Sequence, residues 1–199
     1  MEKKQIQEQR MRAYFIDATK NILKGEGLRA LSVRNIADQA GYSYATLYNY
    51  FKDIRDLIFE CVVDFQEECE TFISEETKHA ESGLTKIKAI TQAYIKFFIQ
   101  YPSIFELFYL EKTSDVARQQ PTIEVIYSFL DRLCENEWNY CVENGLCSQE
   151  KANQFASQLR YTTLGLLLLY LTRKHPQLYP DFIALISEQI DLILKNEAE

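Results

Sequence analysis

Between Ser43 and Lys52 the chain gathers Ser43, Tyr44, Thr46, Tyr48, Asn49, Tyr50 and Lys52, a run of hydroxyls with one amide and one ammonium. Such groups are fitted to hydrogen-bond phosphate oxygens and base edges. Ala45, Leu47 and Phe51 fall between them at positions that can anchor a helix inside. Gly41, just upstream, admits a turn conformation that a side chain resists. Ser43 is a residue type that caps helices by accepting from a first-turn N–H. The free N–H groups at such a helix start attract a phosphate, or let side chains reach base edges. The chemistry offered is recognition of a polyanion.

Other reactive residue types are scattered. The five cysteines, Cys61, Cys69, Cys134, Cys141 and Cys147, are odd in number and form no CxxC. The two histidines, His79 and His175, lie near no cysteine at a metal-ligand spacing. The thiols therefore read as small, buried and reduced, with no metal expected. Glu67, Glu68, Glu70, Glu75 and Glu76 lie mostly off the apolar stripe of their segment and read as a solvated face. No GxSxG, HExxH, P-loop or dinucleotide fingerprint occurs, so neither an enzyme nor a cofactor is expected.

Composition bounds the elements that must position these groups. With 47% hydrophobic and 26% charged residues the chain builds a packed core and is not disordered. Six Gly and four Pro leave few turns, which favours long helices over sheets. Its 199 residues suit one large domain or a small domain joined to a medium one. The longest apolar stretch, between Arg160 and Arg173, is shorter than the ~20 residues of a membrane span and reads as a buried helix. Met1 to Arg12 is polar, without the apolar stretch of a signal peptide, so a cytoplasmic protein with no membrane partner is expected. The net charge of −7 is unevenly spread. Residues 1–55 carry ten Lys/Arg against six Asp/Glu, whereas the remainder carries twelve against twenty-three. A basic N-terminal segment on an acidic body fits a local polyanion site.

Apolar spacing predicts about nine helices and no strand. Arg10 to Leu23 presents Met11, Tyr14, Phe15, Ala18 and Ile22 on one face, and Gly25 and Gly27 stop it. Ser32 caps Val33 to Gln39, Ser43 caps Tyr44 to Phe51, and Asp53 caps a long helix from Ile54 to Lys78. Leu84 to Gln100 follows, then Pro102 to Lys112, a polar loop from Thr113 to Gln120, Pro121 to Glu143, Gln149 to Lys174 capped by Ser148, and Phe182 to Lys195 capped by Asp181. The boundary between a DNA-reading head, 1–55, and a body, 56–199, falls at the start of the long fourth helix.

The stretch from Ser32 to Leu57 reads S-V-R-N-I-A-D-Q-A-G-Y-S-Y-A-T-L-Y-N-Y-F-K-D-I-R-D-L. It resembles the helix-turn-helix of the TetR family of regulators. Ile36, Ala37, Ala40, Gly41, Ser43, Thr46, Leu47, Tyr48, Tyr50, Phe51 and Leu57 match the family pattern directly, and Ser32 stands for its leading Thr. Ala45 stands where the family has Gly, Tyr42 where it has Val, and Ile54 where it has a phosphate-contacting Lys. Lys52 or Arg55 is placed to supply that contact instead. The resemblance implies an all-α protein with a three-helix DNA-binding domain followed by a helical domain that binds an effector and dimerises. It implies DNA contacts from Ser32, Arg34, Ser43, Tyr44, Ala45, Thr46, Tyr48, Asn49, Tyr50 and Lys52 to double-stranded operator DNA. A repressor released by a small, largely apolar molecule follows as the expected function.

The last two helices are apolar nearly all round, from Leu164 to Leu171 and from Phe182 to Leu194, and so need cover on two sides. Pairing with a symmetry mate as a four-helix bundle supplies it, which makes a homodimer through these helices the expectation. Phe65, Cys69, Phe72, Tyr94, Phe97, Phe98, Tyr101, Phe105, Trp138 and Tyr161 are the residues from which an apolar effector pocket would be drawn.

Overall fold

The structure is a computed structural model that describes residues 2–110 and 120–195. Among the described residues it contains ten α-helices and no strand. These are α1 (Glu2–Gly25), α2 (Val33–Ala40), α3 (Tyr44–Tyr48), α4 (Ile54–Thr77), α5 (Leu84–Gln100), α6 (Pro102–Phe105), α7 (Gln120–Tyr127), α8 (Phe129–Glu143), α9 (Gln149–Arg173) and α10 (Tyr179–Lys195).

The predicted punctuation does its work where short helices must be specified. Ser32 is extended, and its Oγ accepts from the Asn35 N–H at 3.1 Å to open α2. Gly41 closes α2 at φ 77°, with its N–H donating to the Ala37 and Asp38 carbonyls. No atom lies within 4 Å of where its Cβ would stand, so backbone conformation rather than crowding demands glycine there. Ser148 caps α9 through the Lys151 N–H at 3.2 Å.

Several boundaries differ from the sequence expectation. α1 begins at Glu2 rather than Arg10, because the polar residues at its start are good helix formers, although residues 3–9 bury nothing. The segment after Gly27 closes a 3₁₀ turn, Leu28–Ala30. α3 stops at Tyr48 rather than Phe51. The helix expected from Pro102 to Lys112 is α6 followed by a π segment, Glu106–Leu110, and Lys112 lies outside the described residues. Residues 113–119 of the expected loop lie outside them too, while Gln120 already begins α7. The single helix expected from Pro121 to Glu143 is α7 and α8, interrupted at Ser128 with ψ 1°. Asp181 lies inside the first turn of α10 instead of capping it, since Pro180 is tolerated in the first turn, where its missing N–H costs nothing.

The chain divides into two compact units, 1–67 with 101–126, and 68–100 with 127–199. Residues 1–55 all lie in the first. Its core is built from Phe15, Ile22, Leu23, Ile36, Leu47, Phe51, Phe65 and Phe105, each buried. Burying a side chain of this size is worth ~1.5–3 kcal/mol. Tyr14, read as part of the buried stripe of α1, is instead 52% exposed and lies 6.1 Å, ring to ring, from Tyr42. In the second unit Tyr94, Phe98, Phe129, Leu167 and Phe182 are buried, and Tyr170 stacks on Phe182 at 3.9 Å. The outer faces of α9 and α10 keep Leu168, Leu169 and Leu192 exposed.

Candidate nucleic-acid interface

α3 has only five residues, too few for a helix to persist by itself in water. Its neighbours hold it. Ser43 Oγ accepts from the Thr46 N–H at 3.1 Å and lies 2.9 Å from Thr46 Oγ1, so cap and first turn are tied twice. Leu47 and Phe51 are buried, and Phe51 meets Phe15 edge-on at 6.4 Å between ring centres. That inward anchor leaves the other face to solvent. Tyr44 is 66% exposed and Tyr48 51% exposed, Asn49 and Lys52 are exposed, and Thr46 is half-buried. Tyr50 is half-buried, its ring 6.2 Å from that of Phe15.

Ala45, expected to help anchor the helix, is exposed on the same side as Tyr44 and Tyr48. It contributes a small surface where a larger side chain would hold a duplex away. Arg34 is exposed on α2 and faces Asp38 at 3.8 Å, one turn on. Such a solvated pair is worth ~0.3–0.5 kcal/mol and leaves the guanidinium available to a phosphate. Of the two cations placed to replace the missing Lys at position 54, Arg55 is engaged: its Nε donates to Asp53 Oδ2 at 2.8 Å, and its N–H to Asp53 Oδ1 at 2.9 Å. The Arg55 hydrogen bonds hold the Asp53 carboxyl below the usual carboxylate range. Lys52 is exposed.

Sequence reasoning missed Arg12. This α1 residue donates to the Tyr50 carbonyl and to Glu60 Oε1, with its guanidinium 4.2 Å over the Phe51 ring. Its partners lie 38 and 48 residues away, and no local pattern reports contacts that distant.

The residues named for an effector pocket are divided between the two units. Phe65, Tyr101 and Phe105 belong to the first unit, where the Lys24 ammonium lies 5.5 Å from the Phe65 ring and 5.3 Å from the Tyr101 ring. Cys69, Phe72, Tyr94, Phe97, Phe98, Trp138 and Tyr161 belong to the second. There Phe72, Phe97, Phe98 and Tyr94 form a continuous ring-to-ring run with centroids 4.8–5.9 Å apart. Trp138 packs on Phe155 at 6.3 Å and lines a concavity of ≈ 340 Å³ whose other walls include Asp131, Asn153 and Arg160. A second concavity of ≈ 340 Å³ is lined by Ile73, Thr77, Lys86, Ile90, Leu133 and Glu137. Tyr161 is 57% exposed against Tyr127, on the surface of α9. Among the described residues no three His, Cys, Asp or Glu side chains gather as metal ligands, and no helix is long and apolar enough to cross a membrane.

Two capped helices joined by a glycine turn, with a polar face on the second, define a helix-turn-helix domain on an all-helical protein. Residues 15–61 match the bacterial regulatory proteins of the tetR family. An uncharacterized HTH-type transcriptional regulator of Haemophilus influenzae is 26% identical over 133 residues, 65% of this chain and 64% of that protein. The match therefore spans less than two thirds of that relative's length. Among solved structures, the transcriptional regulator FadR of Bacillus subtilis in complex with stearoyl-CoA superposes with TM-score 0.68 at 17% identity, over 92% of this chain and 97% of that one. RolR in complex with resorcinol superposes with TM-score 0.68 at 13% identity, over 97% of this chain and 95% of that one. At these identities the likeness is one of fold.

Proposed function

We propose that the chain is a cytoplasmic transcriptional repressor that binds operator DNA as a dimer and is released by a small, largely apolar molecule. It acts by binding and carries out no catalysis. The observation that carries the DNA reading is the exposed polar face of α3, with Tyr44 at 66% and Tyr48 at 51% exposure beside a capped N-terminus. Ser43, Thr46 and Tyr48 hold phosphate oxygens, with Arg34 and Lys52 as flanking charges and Ser32 at the start of α2. Tyr44, Asn49 and Ala45 meet base edges, and Tyr50 supports the end of the helix. The DNA-binding head is residues 1–55 and the effector-binding, dimerising body residues 56–199.

Dimerisation uses α9 and α10, whose exposed Leu168, Leu169 and Leu192 form apolar surface without cover in one chain. Two heads related by a two-fold axis reach successive major grooves ~34–36 Å apart, which sets a near-palindromic site. The effector binds in the body, against Cys69, Phe72, Phe97 and Phe98. Proteins of the same fold were solved with stearoyl-CoA and with resorcinol, which supports a small-molecule ligand without naming this one's. α4 passes unbroken from the first unit into the second, so one helix touches both functions.

The test is selection of duplexes from a randomised library, followed by titration at several salt concentrations. One enriched near-palindromic site, with affinity falling steeply as salt rises, is expected. Equal affinity for enriched and random duplexes at physiological salt rejects the reading. For the effector, a coupling of ~1–3 kcal/mol changes DNA affinity about 5- to 150-fold, and DNA must weaken effector binding by the same factor.

A further inference from the structure

We propose that Arg12, on α1, is a positioning residue for DNA recognition: it fixes the C-terminal side of α3 without touching DNA. The inference rests on α3 being the recognition helix. α3 is short enough that both its ends must be held from outside. Ser43 holds the start. Beyond the end, Tyr50 N–H and Phe51 N–H both donate back to the Leu47 carbonyl, which tightens the chain into a turn. The Tyr50 carbonyl accepts from Arg12 Nη1, and the other arm of the same guanidinium donates to Glu60 Oε1 on α4.

The guanidinium carbon Cζ lies 4.2 Å from the centre of the Phe51 ring. One side chain thus joins α1, the turn after α3 and the first part of α4, all within the first unit. Arg12 and Glu60 side chains are 29% and 34% exposed, so the joint is partly shielded from water and salt. A second tie, Lys20 Nζ to Asp64 Oδ2 at 2.9 Å, joins the same two helices farther along. Arg12, for its part, reaches the Tyr50 carbonyl in the turn that follows α3.

Only arginine can do this. Its fork presents two donors in one plane and stacks on a ring, whereas lysine brings one point charge. The substitution Arg12→Lys therefore keeps the charge and removes the bridge. Glu60→Gln removes a negative charge from the first unit, which by electrostatics alone strengthens binding to a polyanion. Positioning predicts the opposite sign.

The probe is the duplex most enriched by the wild-type protein from a randomised library. For Arg12→Lys and Glu60→Gln we expect about tenfold weaker binding. The salt slope should be unchanged, because loss of a phosphate contact would lower it by about 1. Circular dichroism at the assay temperature should match wild type. Wild-type affinity in both variants overturns the positioning role while leaving the DNA reading intact, and so does tighter binding by Glu60→Gln. A flattened slope in Arg12→Lys overturns it as well, since Arg12 would then be a phosphate contact. A wild-type protein that enriches no duplex removes the DNA reading, and this inference with it.

Discussion

Ser43 does two jobs that a pair of substitutions separates. Its Oγ accepts from the Thr46 N–H at 3.1 Å and lies 2.9 Å from the Thr46 hydroxyl. It is exposed, so removing it opens no cavity. Ser43→Ala should therefore cost about the worth of a cap, ~1 kcal/mol. For a chain of this length that lowers Tm by roughly 2–4 °C. Ser43→Asp restores a capping oxygen, because Asp caps as well as Ser, and its charge suits a helix start. Its Tm should equal or exceed that of wild type. DNA affinity should separate the two variants the other way. A carboxylate where a phosphate approaches adds like-charge repulsion, and ~4 kcal/mol is its order for unit charges 4 Å apart near a protein surface. Even after screening, a loss of at least tenfold is expected, shrinking as salt rises. The assay is a thermal melt of each variant beside titration of the library-selected duplex at two salt concentrations. If Ser43→Asp melts like wild type and binds DNA as tightly, this helix end does not face a phosphate, and the orientation argued for α3 is wrong.

Tyr48→Phe and Thr46→Ala should weaken binding to selected and random duplexes alike, whereas Tyr44→Ala should also relax one position of the site at a cost of ~1–3 kcal/mol, read by competition against singly substituted duplexes. Leu192→Glu and Leu168→Glu should shift sedimentation from dimer toward monomer, and dimers that survive both substitutions at low concentration would move the interface elsewhere. Burial pushes the Cys61 and Cys69 thiols up, and the Cys134 thiol up to about 12. At pH 8 these thiols stay protonated in the folded protein, so an alkylating reagent should label partly exposed Cys147 first and reach all five only in denaturant. Rapid labelling of Cys134 in the native state would contradict its burial.

The head was legible because its signals are local. Ser32 and Ser43 cap the helices that follow them and Gly41 makes the turn between, as read, and each finds its partner within four residues. The end of α3 was misread because Leu47 and Phe51 keep helical spacing while the backbone between them tightens into a turn, with Tyr50 N–H donating to Leu47 O. Spacing records which side chains go inward, not which carbonyl each N–H selects. The break at Ser128 carries no Gly or Pro, so it left no mark in the sequence. Arg12 was invisible for a different reason: a lone arginine on an amphipathic helix looks like any solvated charge until its distant partners are known.

The effector residues pose a harder problem, and it is one of kind rather than of distance. A closed core and an apolar pocket draw on the same side chains, so a spacing that buries Tyr94, Phe97 and Phe98 cannot say whether they bury one another or a guest. Their rings do pack on one another, at 4.8 and 5.5 Å. A guest there must displace ring-to-ring contacts or widen the run beside Phe72. It therefore binds well only if it returns comparable apolar contact, which selects for a flat or largely hydrocarbon molecule. Tyr44 and Tyr48 stand at the opposite extreme. They share the residue type of Tyr94, which is fully buried, yet keep half or more of their surface in water. That surface, on a helix anchored from behind by Leu47 and Phe51, is where the proposed DNA contacts lie. The asymmetry explains why one part of this protein declares its ligand class from sequence while the other hides it within ordinary packing.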